Sequence, residues 1–361
     1  MSTVGTALHD CPPVQYELND YFNTCDPSQR SDVSPLVQAL YSNANTNNVQ
    51  VAVVDGPGKI KIARMRYHQL IPESEVLEID SCERDCTATT KRGDLVTDYT
   101  IDPCVKQVVE GKIQASDFYY SCANGGAEIT GLIGRMVSAL RRKVQTKIVS
   151  QISGLNGNWS QTVKDTFPGQ VVDPGSYFKV KTQKDGSIDP YPSTYADIDL
   201  AYKMQEFCTT PWTFTGGSLF RYMRLMNAGC CTDSGLDLGS IATQYGTPFI
   251  WDRRLQIYMG VEGAMAIQPG ALQVIEFNEY LVDPEIAAAS HTVTGKNYET
   301  MVIYDPLTGI GMNFLFSDNC GVISIIAHSV VKLVTMPLDM WPNGDYMAGN
   351  NYINELRVVN V

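Results

Sequence analysis

Few groups in this sequence are able to do covalent chemistry, and they are scattered. The four histidines are His9, His68, His291 and His328. A general base or a metal ligand needs partners at short, regular spacing, and these histidines are far apart. His68 is expected on an exposed strand face and His328 inside an apolar strand, each solvated or satisfied by its surroundings. Ten cysteines lie at 11, 25, 82, 86, 104, 122, 208, 230, 231 and 320. Cys82-x3-Cys86, with Cys104 further on, comes nearest to metal spacing, but zinc sites combine two such pairs or add a histidine pair. Structural thiols are the better reading. Adjacent Cys230 and Cys231 suggest redox work, yet no neighbouring group would lower a thiol pKa. Asp197-x-Asp199 suggests a cation, but both fall near the start of a predicted helix, where the dipole favours carboxylates. Asn158-Trp159-Ser160 is a glycosylation sequon that matters only in a secreted chain. Phosphate-binding, dinucleotide-binding, hydrolase-elbow and zinc-protease motifs are all lacking. The sequence therefore assigns no catalytic residue, no cofactor site and no metal site, and an enzyme is not expected.

The elements that would have to position such groups are unusual. The chain has 361 residues, 44% of them apolar, 18% charged, with a net charge of −12. That apolar share excludes wholesale disorder. The low charged share fits burial or interfaces, and the acidic balance excludes a general nucleic-acid-binding surface. The first residues lack the basic and apolar regions of a secretory signal, and no apolar run is long enough to span a bilayer. A soluble protein made in the cytosol is expected, with no membrane partner.

Residues 1–48 read as an extended, polar arm holding one short helix, Ser34–Tyr41, with Ser34 as cap and Pro35 in the first turn. Residues 49–105 read as a long ribbon. Val49–Val54 is a strand, and Asp55-Gly56-Pro57-Gly58 a turn. Lys59–His68 alternates with one slip at Ala63, which predicts a strand with a bulge. Glu73, Glu75, Glu78, Asp80, Glu83 and Asp85 follow, and Asp94–Ile101 is the return strand. Residues 126–153 predict a helix about 42 Å long, with an apolar stripe through Ile129, Leu132, Met136, Leu140, Val144 and Ile148. Its polar face carries Arg135, Arg141, Arg142, Lys143 and Lys147. A turn-rich junction is expected over 166–192. Helices follow at Thr194–Phe207 and Ser218–Ala228. Strands follow at Thr213–Gly217, Thr247–Trp251, Ile257–Ile267, Leu272–Phe277, Thr300–Tyr304, Gly309–Phe316, Gly321–His328 and Val330–Thr335. Helices and strands without a βαβ rhythm predict an α+β fold.

An arm, a ribbon and a long basic-backed helix suit contact with neighbours better than a compact monomer. In that order, along nearly the whole chain, the sequence resembles the major capsid proteins of tailed bacteriophages with the Hong Kong 97-like fold. Phe214–Gly229 resembles the strand-to-helix passage of their apical domain. Gly246–Arg254 and Val261–Gly270 resemble its later strands, and Asp305–Gly309, Asp318–Gly321 and Met336–Asp339 resemble the terminal strands. The resemblance implies an arm (1–48), an extended loop (49–105), a peripheral domain (106–190) with a spine helix (126–153), an apical domain (191–300) and returning strands (301–361). It implies hexamers and pentamers of this chain in an icosahedral shell around double-stranded DNA. It also implies a portal, a scaffold, a decoration protein in some cases, assembly in the host cytoplasm and a place in the virion capsid. A chain starting at Met1 without a scaffolding segment favours a separate scaffold. The Lys–Asn crosslinks of some relatives have no motif here.

Two sets of residues are candidates for contact. Lys59, Lys61, Arg64 and Arg66 on the basic limb, with Glu73, Glu75, Glu78 and Asp80 on the acidic limb, either meet other subunits or pair across a solvated ribbon. Arg135, Arg142 and Lys143 either face packaged DNA or pair with acidic subunit surfaces. The alternatives to a phage shell are an encapsulin-like nanocompartment with protein cargo and an enzyme of unrecognised chemistry.

Overall fold

The structure is a computed structural model. It describes residues 33–42, 49–52, 61–67, 95–102, 104–114, 126–172, 177–183, 193–205, 207, 209–228, 240–242, 247–278, 298–319, 322–335 and 353–359. The first elements are α1 (Pro35–Ser42), β1 (Val49–Ala52), β2 (Lys61–Tyr67), β3 (Leu95–Ile101), β4 (Gln107–Gln114) and α2 (Gly126–Ile152). Then come α3 (Gln161–Thr166), β5 (Val171–Val172), β6 (Tyr177–Lys181), α4 (Thr194–Met204), β7 (Trp212–Thr215) and α5 (Gly217–Ala228). They are followed by β8 (Ser240–Ala242), β9 (Pro248–Trp251), α6 (Arg253–Met259), β10 (Gly263–Ile267) and β11 (Leu272–Glu276). The last are β12 (Tyr298–Tyr304), β13 (Gly311–Asn319), β14 (Val322–Ser329), β15 (Val331–Thr335) and β16 (Ile353–Val359). The fold is α+β.

Helix α2 is the axis of the first core. Ile133, Val137, Leu140, Val144, Ile148 and Ile152 recur at helical spacing and are all at most 2% exposed. This stripe lies on the antiparallel sheet β12-β13-β14-β4 and on β15. Phe314, Phe316, Ile323 and Ile325 fill the space between. Gly111 lets β4 approach the helix, because a Cβ there would stand 3.1 Å from Met136 Sδ and 3.2 Å from Leu132 Cδ1. Leu36, Val37 and Leu40 of α1 complete the same core.

The second core lies beyond a seven-stranded mixed sheet, ordered β5-β6-β16-β10-β7-β9-β8. Strand β10 is buried along its whole length. Its Met265 and Ile267 belong to the first core, and its Ala264 and Ala266 to the second. The period of two in a strand thus serves two cores at once. Trp159 packs beside Phe178 and stacks at 6.5 Å on Tyr202 in the second core. The last strand, β16, enters between β6 and β10, parallel to the first and antiparallel to the second.

Several expectations change. The β2–β3 register runs unbroken from Lys61↔Ile101 to Tyr67↔Leu95, and β1–β2 is equally regular, so β2 has no bulge. The slip in its alternation is one of residue type, not of backbone. The segment 166–192 is not only a junction, because β5 and β6 lie in it and join the large sheet. Residues 257–259 are helical, since Asp252 caps α6 and Gly260, at φ 79°, ends it. The border expected at 190/191 does not separate the two cores. Trp159, Val163 and Phe178 already pack with Tyr202 and Leu219. Strand β4 was not foreseen; Glu110-Gly111-Lys112 at its centre hides it, and pairing with β14 defines it.

Candidate functional site

The first part of the site is the seat of α1. Its start is held by a buried carboxylate from a distant segment. Ser34 Oγ and the Leu36 N–H (3.1 Å) donate to Asp252 Oδ2. The Arg254 and Leu255 N–H groups donate to Asp252 Oδ1 at 2.8 and 3.0 Å. Asp252 therefore serves the first turns of α1 and α6, one oxygen each. Both N-termini carry partial positive charge, which favours a carboxylate between them. The Ser34 N–H donates to Gln145 Oε1 of α2 at 2.8 Å, and Ser34 Oγ accepts from the Val37 N–H at 3.4 Å.

The other end of α1 meets a titratable cluster. Tyr41 lies beside Glu276 of β11, whose oxygens accept from the Gly311 N–H at 3.0 and 3.1 Å. Burial pushes the Glu276 carboxyl up to about 7, against the opposing pull of the Tyr41 hydroxyl and the Gly311 N–H. Burial, and then the Glu276 and Asp305 carboxylates, raise Tyr41 well above its ordinary value. Asp305 is buried and accepts from Arg141 Nη1 at 3.1 Å, from Thr308 Oγ1 and from the Leu307 N–H at 3.4 Å. Arg141, itself 0% exposed, so pins the turn between β12 and β13 to α2. It does not stand on the polar face where its residue type placed it. Its spacing from Val137 and Val144 puts it on the apolar stripe, a signal available in the sequence. Lys147 also turns inward, its Nζ donating to the Val331 carbonyl at 3.2 Å.

Arg135, Arg142 and Lys143 are exposed on α2, and Arg135 and Arg142 are two turns apart. Lys61, Arg64 and Arg66 lie on β2, the central strand of the β1-β2-β3 sheet, with Arg64 opposite Asp98 in the register. Lys59, Glu73, Glu75, Glu78 and Asp80 lie outside the described residues. The ribbon returns to the body through β3, where Lys332 Nζ donates to the Thr100 carbonyl at 2.6 Å and the Tyr99 hydroxyl to the Thr335 carbonyl at 2.9 Å. Sequence reasoning missed Asp252, Glu276 and the cations of α6, Arg253 and Arg254. An Asp before a run of helix formers was the signal for the first.

Among the described residues no group of three or more His, Cys, Asp or Glu could hold a metal ion, and no helix is long and apolar enough to cross a membrane. Asp199 pairs with Lys203 at 2.9 Å one turn along α4, and Asp197 stands in that helix's first turn, raised chiefly by burial. His328 is buried in β14.

No protein-family model matches the chain, and no curated protein matches it. Solved structures from phages do match. A chain described as Mycobacterium phage Adephagia is 8% identical, with 90% of each chain covered and a TM-score of 0.41. A chain of the bacteriophage PhiM1 mature capsid is 9% identical, with 83% of this chain and 82% of that one covered and a TM-score of 0.37. A chain of the satellite phage P4 procapsid, a structure that includes the size determination protein, is 8% identical, with 90% and 99% covered and a TM-score of 0.34.

Proposed function

We propose that this chain is the major capsid protein of a tailed bacteriophage, a structural protein rather than an enzyme. The observation that carries the reading is the succession along the chain. An arm helix is seated on the body, and a three-stranded ribbon precedes β4. A 27-residue helix then crosses a four-stranded sheet, and a seven-stranded sheet is closed by the final strand. This is the succession that the Hong Kong 97-like resemblance implies. Residues 1–48 then form the arm and 49–105 the extended loop. The α2 core forms the peripheral domain, and the seven-stranded sheet with its outer core forms the apical domain.

In this reading copies assemble as hexamers and pentamers into an icosahedral shell around double-stranded DNA. Portal and scaffolding proteins, and in some systems a decoration protein, are the partners. Assembly takes place in the host cytoplasm. Lys59, Lys61, Arg64, Arg66, Glu73, Glu75, Glu78 and Asp80 act at contacts between subunits. Of the two roles open to Arg135, Arg142 and Lys143, pairing with acidic surfaces of neighbouring copies is favoured over facing DNA, because the chain as a whole is acidic.

Electron microscopy of the full-length protein, expressed alone and with its neighbouring genes, tests the reading. Closed shells are expected. A monomer at every concentration overturns it, and shells filled with a protein cargo instead of DNA favour a nanocompartment.

A further inference from the structure

The end of β9, helix α6 and the turn after it expose an unusual amount of apolar surface. Ile257 is 71% exposed, Val261 49%, Tyr258 42% and Trp251 39%. They are four of the nine large apolar side chains exposed among the described residues, and all four lie between positions 251 and 261. Scattered exposed apolar side chains are ordinary, whereas a contiguous group marks a contact surface. This group is held in place. Trp251 Nε1 donates to Gln256 Oε1 at 3.2 Å, and the same oxygen accepts from the Gly217 N–H at 3.1 Å.

Cations frame it. Arg253 is exposed one helical turn before Ile257, and Arg254 stands one turn before Tyr258. Arg254 Nη1 donates to the Arg142 carbonyl at 3.4 Å and to Thr146 Oγ1 at 3.0 Å. That contact brings the exposed Arg142 and Lys143 of α2 alongside. The Asp252 carboxylate is buried and turned inward on four donors, and the exposed Glu262, next to Val261, leaves the cations Arg253, Arg254, Arg142 and Lys143 in excess.

We propose that this face of α6, with the adjoining turn of α2, is a docking surface for a second copy of the same chain. The proposal rests on the shell reading and names a contact within it. An apolar centre of Trp, Tyr and Ile ringed by Arg is the composition of a protein interface. A nucleic acid would use the cations but gain little from Ile257 and Val261, which have no phosphate or base edge to meet. The charge points to this chain as its own partner. Its net charge is −12, and its densest acidic run is Glu73, Glu75, Glu78, Asp80, Glu83 and Asp85, interleaved with Val76, Leu77 and Ile79. The composition of that run complements the patch in sign and shares its apolar character.

The test places a photo-crosslinker at the most exposed position, Ile257→p-benzoylphenylalanine, in full-length protein assembled from mixed isotopically light and heavy copies. Crosslinks between light and heavy chains, mapped to an acidic apolar surface, are expected. In parallel, Ile257→Asp and the double variant Arg142→Glu/Arg253→Glu should each lower the assembled fraction about tenfold. The melting temperature of the dissociated subunit should not change, because these side chains are outside the cores. Crosslinks confined to single chains, to nucleic acid or to another protein overturn the proposal. So does assembly of both variants at the wild-type level. Shells that form normally with the variants leave the shell reading standing, whereas a wild-type chain that never assembles overturns both.

Discussion

Ser34 and Asp252 are 218 positions apart in sequence and hydrogen-bonded in the core. The bond ties the arm helix to the start of α6, so the seat of α1 depends on a residue that also caps another helix. Asp252→Asn tests this dependence. An asparagine oxygen replaces one carboxylate oxygen, but its amide nitrogen must then face the donors of the other helix. The expected loss is about 1–3 kcal/mol. Ser34→Ala, which removes a cap and a hydroxyl donor, should cost about 1 kcal/mol. Urea denaturation measures both. Hydrogen exchange should rise at Val37–Leu40 in each, and in Asp252→Asn also at Leu255 and Gln256.

Arg141 and Asp305 form a buried pair between α2 and the β12–β13 turn. Removing one partner strands the other's charge, so Arg141→Met should cost about 3–5 kcal/mol. The double variant Arg141→Met/Asp305→Asn should cost clearly less than the sum of the two single changes. Denaturation of the four proteins in this cycle checks it; strict additivity would show that the two charges do not depend on each other.

The elements legible in the sequence were those whose own pattern decides them. The stripe from Ile133 to Ile152 predicts α2, and the runs Thr300–Tyr304, Gly309–Phe316, Gly321–His328 and Val330–Thr335 predict β12 to β15. The short helix at Pro35 was legible from Ser34 and its proline. What was not legible depends on distant partners. Strands β5 and β6 lie among turn-forming residues and are defined by pairing with one another and with β16, some 180 positions on. The end of helix α6, from Ile257, reads as the start of a strand because Ile257 and Tyr258 are apolar, yet both are exposed. Arg141 shows the converse: its spacing marked it as buried, and its charge argued otherwise. The arm's need for another surface was legible. That its helix finds this surface on its own subunit was not, because the acceptors Gln145 and Asp252 lie more than a hundred positions away.

Gly111 is a test of how closely β4 and α2 are packed. Gly111→Ala would bring a Cβ to 3.1 Å from Met136 Sδ and 3.2 Å from Leu132 Cδ1 and Cδ2. Met136 is 3% exposed and held in the core, so its side chain must shift by a few tenths of an ångström against its neighbours, and a loss of about 1–3 kcal/mol is expected. Leu140→Ala, at a position 2% exposed, should cost about 2–5 kcal/mol through the opposite fault, a cavity. Combining Gly111→Ala with Met136→Ala should cost less than the sum of the two single changes, because the new methyl group takes up part of the room the methionine leaves. Thermal denaturation of the four variants checks the set; a neutral Gly111→Ala would mean that β4 can shift away from the helix.

Glu276 gives the seat of α1 a dependence on pH. Its carboxyl is raised in the fold to about 7 from an ordinary value of 4.5, chiefly by burial, so the folded state favours the protonated form. The contribution is fully present below pH 4.5 and is lost as the pH rises through 7, because the folded chain then gives up a proton that the unfolded chain has already lost. Stability should therefore decline across this window, by at most about 3 kcal/mol. Glu276→Gln keeps an oxygen for the Gly311 N–H and removes the titration, so its stability should be flatter over the same range. Tyr41→Phe deletes a hydroxyl that favours the carboxylate. It should move the decline to higher pH. Chemical denaturation from pH 4 to pH 8 for the three proteins measures this, and a wild-type profile that rises through the window would contradict it.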